Sequence, residues 1–190
     1  MARLLLPDGE RLDDRVAIRR KLGRSGIALA QWPIPDQPAV RQLLSHPVLA
    51  HHEHETVLAA VDDRFEHLRR EHGYTRRDLL VLHVGVPGVE EALTRCAQVH
   101  YHSDDEARYI LAGRGYFGFF DRDDRELLLE VVTGDYVHVP AHAEHWFTLG
   151  DSPRLKAVRY FVDPAGWAPV YTGRPVAAPF SRITSIQGTS

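Results

Sequence analysis

The most informative stretch of this chain reads HYHSDDE and runs from residue 100 to residue 106. Residues two apart in an extended strand point to the same face, so His100, His102 and Glu106 can converge on one ion. A second stretch, PAHAEHWF at residues 140–147, can supply another imidazole. Three nitrogens and one carboxylate suit a first-row transition metal and leave two adjacent positions of an octahedron open for substrate. The alternative, surface histidines on a polar loop, is less favoured because the glutamate stands at a matching offset.

Length and composition restrict the class of protein. The chain has 190 residues, which is most simply one domain with a sizeable core. Its single cysteine, Cys96, excludes an intramolecular disulfide, and the apolar run at the start is too short for a signal peptide, so we expect a cytoplasmic protein. No stretch approaches the roughly eighteen apolar residues that span a bilayer. The net charge of −3 comes from well-mixed signs, which argues against a nucleic-acid partner.

Residues 1–98 show a mixed and then a helical pattern, and we interpret them as an N-terminal α/β flank that packs on a barrel. Apolar residues at spacings of four and three predict an amphipathic helix that ends at Gly73. These residues are Val57, Val61, Phe65 and Leu68. The histidines at 51–54 imitate a ligand cluster, but their charged context favours a solvated helix start. Residues 26–32 and 79–84 are predicted strands, and Val89–Cys96 is a predicted short helix.

From residue 99 the pattern changes to short strands separated by turns, which is typical of an antiparallel barrel of the jelly-roll type. We predict two separate strands, 108–111 and 116–120, on either side of the glycines at 113 and 115. The expected fold is mainly β, with a few N-terminal helices, and 99–163 forms the barrel core with the metal site. The tail at 164–190 is rich in Pro, Gly and Ser, and is expected to wrap the barrel or fray.

Two spacings in the chain resemble motifs of a known superfamily. The pattern His-x-His-x3-Glu-x6-Gly runs from His100 to Gly113, and Gly-x5-Pro-x4-His runs from Gly134 to His145. These resemble the two motifs of the cupins, small β-barrels that hold a metal in their mouth. The strings VHYHSDDEARYILAGRGYF, VPAHAEHWFTLG, AVRYF and DPAGW, in this order, look more specifically like the acireductone dioxygenase family of methionine salvage. The resemblance covers about residues 26–171.

That resemblance implies a metal-dependent dioxygenase that acts on a small molecule and O2 and works as a monomer. The implied metal ligands are His100, His102, Glu106 and His145, holding one Fe2+ or Ni2+ per chain. The family's substrate is 1,2-dihydroxy-3-keto-5-methylthiopentene. With iron the implied products are formate and 4-methylthio-2-oxobutanoate, and with nickel they are methylthiopropionate, formate and carbon monoxide. Imidazole and carboxylate ligands accept both ions, so the sequence does not choose between them.

Four further residues are candidates for contact with the substrate. Arg108 lies two residues beyond Glu106 and so faces the same interior, at the family's position for an arginine that stabilises the substrate dianion. Arg159, in the final predicted strand, is a second candidate for a substrate oxygen. Phe147 and Trp167 match the family's aromatic wall, where sulfur against aromatic edges is favourable by roughly 0.3–1.5 kcal/mol. The alternatives are surface arginines and ordinary core aromatics.

Other residues near the motifs are assigned supporting roles or left open. His138 is predicted to face inward and, with Asp105, to orient a metal ligand, and His142 is either a proton relay or a surface residue. The chain has Val99 where the family commonly has a glutamate and Cys96 where it has a phenylalanine, with consequences that the sequence leaves open. Two competing functions also remain: another cupin oxygenase or isomerase, and a ligand-binding cupin without enzyme activity.

Overall fold

The computed structural model describes residues 1–184, which contain eleven strands and six α-helices. The strands are β1 Arg3–Leu5, β2 Arg11–Leu12, β3 Ala28–Gln31, β4 Arg76–His83, β5 His100–Tyr101, β6 Glu106–Phe120, β7 Glu126–Val132, β8 Asp135–Val139, β9 His145–Thr148, β10 Arg154–Phe161 and β11 Val170–Tyr171. The helices are α1 Arg15–Gly23, α2 Pro38–Ser45, α3 His51–Ala59, α4 Asp62–His72, α5 Val89–Cys96 and α6 Ala178–Thr184, with a 3₁₀ helix at Pro164–Trp167. The prediction of a mainly β fold with a few N-terminal helices is confirmed.

The strands form two antiparallel layers that share β6. One layer has the order β4-β10-β6-β8-β3, and the other has the order β11-β5-β9-β6-β7-β1-β2. The first part of β6 pairs with β8 and β10, and its last part pairs with β7 and β9. Strands β1 to β4 come from the predicted N-terminal flank, yet they hydrogen-bond with barrel strands. The flank is therefore part of the sheets as well as a set of helices packed against them.

The glycines at 113 and 115 lie inside one continuous strand, so the prediction of two strands separated by a turn is wrong. β6 runs for 15 residues. Its pairing with β10 skips Leu111, which is a β-bulge, and Gly113 follows with φ +88°. A Cβ atom on Gly113 would overlap the carbonyl oxygen of Arg154. The bulge and the glycine bend the strand at the point where it passes from one layer to the other.

The predicted amphipathic helix that begins near Val57 and ends at Gly73 is two helices. α3 ends at Ala59 and α4 begins at Asp62, with two acidic residues in the first turn of α4, where the helix dipole favours negative charge. Gly73 ends α4 with φ +72°, as predicted. α5 has the predicted bounds Val89–Cys96, and residues 51–54 begin α3. Within residues 1–184, no helix combines the length and the apolar character needed to cross a membrane.

The two faces of β6 belong to two different cores. Tyr109 and Leu111 point outward into a cluster that packs against α2, α3 and α4. Ile110 points inward and packs inside the barrel. Because side chains alternate along a strand, Glu106 and Arg108 point inward with Ile110. The interior of the barrel therefore holds an acidic and a basic side chain above an apolar floor.

The C-terminal segment lies on the outside of the barrel. β11 pairs with β5, the strand that carries His100. Phe180 of α6 is buried against Trp146 and Val99. The described part of the tail, up to residue 184, thus contacts the barrel, and the rest of the predicted tail, residues 185–190, lies outside the described residues.

Gly113→Ala should lower the free energy of unfolding by at least about 3 kcal/mol, because it adds a clash to an unfavourable positive φ. Gly9→Ala is the matched control, since Gly9 has φ +89° and no atom lies within 4 Å of the place that a Cβ atom would take there. Gly9→Ala should lower the free energy of unfolding by only about 1 kcal/mol. Chemical denaturation of both variants checks this, and equal losses would show that the close approach to Arg154 is unimportant.

Candidate metal centre

Three histidines from two segments of the chain meet at one end of the barrel interior. His100 and His145 are directly opposite each other in the β5–β9 ladder, and their ring centroids are 4.5 Å apart. His102 follows β5 with its ring centroid 5.0 Å from that of His100. One ring nitrogen from each of the three can be chosen so that all lie within 4.8 Å of one another, and all three residues are buried. The structure thus brings the predicted histidines together.

Glu106 completes the cluster from the start of β6. Its Oε2 atom lies 3.1 Å from Nε2 of His102 and 3.3 Å from Nε2 of His145. Ligand atoms bound about 2.1 Å from one ion, at adjacent corners of an octahedron, lie about 3 Å apart. The spacing of these atoms therefore fits a shared metal ion, and the residue types are those that iron and nickel accept.

Backbone carbonyls fix the orientation of two of the rings. Nδ1 of His100 lies 2.7 Å from the carbonyl oxygen of Gln98, and Nδ1 of His145 lies 2.8 Å from that of Ala143. A carbonyl only accepts, so Nδ1 carries the proton in each ring and Nε2 keeps its lone pair for a metal. His102 differs, because its buried Nδ1 has no hydrogen-bond partner among residues 1–184.

The charge states of the cluster suit cation binding. Burial by itself would raise the pKa of Glu106, but the nearby Arg108 charge and contacts with His102 and His145 hold it well below its ordinary value. Burial, together with the neighbouring His145, lowers the pKa of His100 to about 4. At neutral pH the glutamate is therefore an anion and His100 is neutral, the forms that coordinate a metal.

Arg108 is a buried cation beside the cluster and not a surface arginine. Its Nε atom lies 2.6 Å from Oε1 of Glu106, although the N–H does not point at the oxygen, so the contact is an ion pair without a hydrogen bond. Its guanidinium carbon lies 5.2 Å from the ring centroid of Phe117 and 4.8 Å from that of Phe147. These rings hold the guanidinium in an apolar setting, where a charge acts strongly on its neighbours.

Trp167 contacts the cluster directly, and Arg159 contacts Trp167. The Trp167 ring stacks on His102, with centroids 5.6 Å apart and planes 22° from parallel. Arg159 lies 5.5 Å from the Trp167 centroid and makes two hydrogen bonds to Asp78, at 2.8 and 2.6 Å. Asp78 is not among the residues predicted from the sequence, because its position opposite Arg159 follows only from the register of β4 and β10.

Comparison with known proteins identifies the family. The sequence model described as the ARD/ARD' family matches residues 36–169. The chain belongs to this family. Acireductone dioxygenase of Microcystis aeruginosa (strain NIES-843) is 42% identical over 179 residues, which covers 94% of this chain and 97% of the relative. Acireductone dioxygenase of Leptospira interrogans (serovar Lai) is 43% identical over 154 residues, covering 81% and 85%.

The solved structure of an acireductone dioxygenase supports the fold. Acireductone dioxygenase from Bacillus anthracis, with a cadmium ion in its active centre, superposes with a TM-score of 0.84 at 29% identity. The match covers 90% of this chain and 98% of that one. The predicted cupin barrel and the predicted family are confirmed, and the chain is a metal-dependent dioxygenase by its membership of the ARD/ARD' family.

Asp105 and His138 form a pair in this family member, but the prediction that His138 faces inward is wrong: it lies opposite Ala107 in the β6–β8 ladder, on the outer face, and its ring stacks on His72 of α4. Nε2 of His138 lies 2.9 Å from Oδ2 of Asp105, and the backbone N–H of Ala141 donates to Oδ1 at 2.8 Å. Burial acts to raise the pKa of Asp105, but these two hydrogen bonds keep it below its ordinary value. The contacts described for the pair tie the loop before His145 to the start of β6. Their predicted role, to orient the ligands, remains a prediction.

The remaining candidates lie outside the cluster. His142 has an exposed side chain, and its backbone N–H donates to the carbonyl oxygen of His102 at 2.8 Å. Val99 points outward and packs with Trp146. Cys96 packs against the barrel interior, where burial raises the pKa of its thiol. The contact of His142 with the site is thus made by its backbone.

Proposed function

We propose that this member of the family cleaves an acireductone with O2 at one transition-metal ion held by His100, His102, Glu106 and His145. The observation that carries the proposal is the convergence of three buried imidazoles and an anionic carboxylate at the end of the barrel. Three neutral nitrogens and one negative oxygen give the ion a site that leaves further positions for a chelating substrate. When bound, the ion supplies a Lewis acid for the enediolate oxygens and a centre at which O2 reacts.

Arg108 is proposed to stabilise the negative charge of the bound substrate. It is buried, it faces the same interior as Glu106, and the aromatic rings of Phe117 and Phe147 restrict its movement. A fixed cation in a site from which water is excluded requires little reorganisation during the reaction, so its effect on developing charge is large. A metal ion in the cluster would be a second cation beside Glu106. Because the ion would then balance the charge of Glu106, Arg108 could act on the substrate.

Aromatic side chains are proposed to form the wall against which the substrate tail lies. Trp167 covers His102, and Phe147 covers Arg108, so the two rings lie on the two kinds of polar group in the site. A thioether next to an aromatic edge is favoured by roughly 0.3–1.5 kcal/mol. Arg159, which Asp78 holds beside Trp167, is proposed to lie at the entrance and to meet a substrate oxygen there.

The identity of the ion is proposed to determine the products. The four protein ligands accept Fe2+ and Ni2+, and the affinity order together with the metal supply decides which is bound. We propose formate and 4-methylthio-2-oxobutanoate with iron, and methylthiopropionate, formate and carbon monoxide with nickel. The protein is proposed to act as a cytoplasmic monomer in methionine salvage, with 1,2-dihydroxy-3-keto-5-methylthiopentene and O2 as its substrates.

The ligand assignment predicts metal contents directly. Wild-type protein should carry about one iron or nickel ion per chain, whereas His102→Ala and His145→Ala should each lose most of it, since an incomplete site seldom survives purification. The measurement is elemental analysis after identical purification. His52→Gln is the matched control, because His52 is exposed on α3. Equal metal in all four proteins would contradict the assignment.

Arg108→Ala should keep the metal and lose turnover by roughly ten- to a hundredfold, which corresponds to the loss of one charge-assisted interaction of about 1.5–3 kcal/mol. Steady-state O2 consumption and metal analysis on the same sample test this. Arg122→Ala, at an exposed hairpin position, is the control and should match the wild type. Turnover within twofold of the wild type would reject the role, and loss of metal would make Arg108 a structural residue.

Loading one metal-free preparation with iron(II) or with nickel(II) should change the products without any change of sequence. Carbon monoxide should appear only in the nickel sample and the 2-oxo acid only in the iron sample, because the ion sets how the chelated substrate is presented to O2. Gas analysis and chromatography of both reactions provide the measurement. One product set from both metal forms would favour a cupin oxygenase of another specificity.

A further inference from the structure

His102 is held differently from the other two histidines of the cluster. His100 and His145 each donate Nδ1–H to a backbone carbonyl, which fixes the plane of the ring. Nδ1 of His102 has no such partner in the part of the chain that the structure describes. Apart from the other members of the cluster, the feature that packs on its ring is the indole of Trp167, with centroids 5.6 Å apart. The ring of Trp167 is therefore the contact outside the cluster that can orient His102.

Trp167 belongs to a short segment that needs to be held in place. It ends the 3₁₀ helix Pro164–Trp167, a single turn that follows β10 and has exposed residues on both sides. The indole Nε1–H donates to the backbone oxygen of Asp105 at 3.0 Å, and the ring packs on Phe161 with centroids 4.4 Å apart. These contacts place the ring, but they leave the backbone of the turn to be fixed by something else.

Asp104 fixes the backbone of that turn. Its Oδ2 atom accepts hydrogen bonds from the backbone N–H groups of Val162 and Asp163, at 3.0 and 2.9 Å, and these two residues lead into the 3₁₀ helix. Its Oδ1 atom accepts from the N–H of Asp105 at 2.8 Å. A carboxylate that accepts backbone N–H groups makes stronger hydrogen bonds than a neutral acceptor does. One side chain thus joins the loop after His102 to the start of the turn that carries Trp167.

The same loop also contacts the far end of the turn. The carbonyl oxygen of Gly166 accepts from the backbone N–H groups of Ser103 and Asp104, at 3.1 and 3.3 Å. A Cβ atom on Gly166 would lie 2.5 Å from the Cβ of Asp104, so only glycine permits this approach. Residues that directly follow His102 in the chain therefore make hydrogen bonds to both ends of the turn.

We propose that Asp104 is a positioning residue that acts through Trp167 on the His102 imidazole. It holds the 3₁₀ turn so that the indole lies parallel to the ring, and this stacking takes the place of the hydrogen bond that the other two histidines have. The inference rests on the proposed metal site, since a fixed ring matters when its Nε2 must meet an ion. Groups that orient metal-binding histidines typically contribute ten- to a hundredfold to affinity or activity, and a stacked ring is expected at the lower end.

The test is the affinity of metal-free protein for nickel(II), measured by competition with a chelator. Asp104→Ala should bind nickel about tenfold more weakly than the wild type. Trp167→Ala should show a similar loss of nickel affinity. The double variant should bind nickel no more weakly than Trp167→Ala alone, because both substitutions remove the same interaction with His102. Asp104→Asn keeps an acceptor oxygen for Val162 and Asp163 and should bind within about threefold of the wild type. Asp151→Ala, an exposed aspartate in an ion pair with Arg114, is the control.

The outcomes separate this inference from the proposed function. If the wild type binds no nickel, or His145→Ala binds it as the wild type does, the metal site itself is wrong. If the wild type binds and Asp104→Ala binds within twofold of it, the positioning role is wrong. Independent losses that multiply in the double variant would show that Asp104 does not act through Trp167. Should Asp104→Ala fail to fold, Gly166→Ala pushes the turn away from an intact Asp104, and wild-type affinity in that variant would overturn the proposal.

Discussion

A buried carboxylate governs the arrangement of the site. The side chain of Glu106 is about 1% exposed, and an isolated charge so deep in a protein would be strongly unfavourable. It persists as an anion because Arg108 lies on one of its oxygens and the imidazoles of His102 and His145 lie near the other. A buried carboxylate is stabilised by cations around it, and a bound divalent metal ion would be the strongest cation at this position.

The bend in β6 brings the parts of this cluster together. The first residue of β6 is Glu106, and its far end pairs with β9, where Phe119 is opposite His145. β9 in turn pairs with β5 at His100. One strand therefore carries the carboxylate and also positions the strand that holds the most distant histidine. Gly113 permits this bend. A residue that is not itself one of the metal-binding candidates thus helps to set the geometry of the site.

The two arginines of the interior illustrate how strand pairing selects ion pairs. Arg108 and Arg159 are directly opposite each other in the β6–β10 ladder, an arrangement that like charges disfavour. Each has an acidic partner: Glu106, on the same strand, for Arg108, and Asp78, across the β4–β10 ladder, for Arg159. Each pairing reduces the repulsion between the arginines and leaves one cation beside Glu106 and the other beside Trp167.

Local spacing in the sequence was enough to predict the metal cluster and several helix ends, whereas strand register and contacts between distant segments emerge only in the folded barrel. The sequence predicted that His100, His102 and Glu106 converge, and the structure brings them together with His145. They do not lie in one extended strand as predicted, because β5 ends at Tyr101 and a new strand, β6, begins at Glu106. Local signals also predicted the end of α4 and both ends of α5, and the family resemblance indicated the cupin barrel. These features follow from residues that are near in sequence, or from motifs that are specific to one family.

The folded barrel adds what no local pattern contains. Two glycines that predict a turn instead lie in one bent strand, because pairing with four neighbouring strands stabilises the extended form. Asp78 meets Arg159 through a strand pairing that depends on register. Asp104 meets Val162 and Asp163 across 58 and 59 positions of the chain. Such contacts form when the whole barrel closes, so the sequence specifies them only through the complete fold.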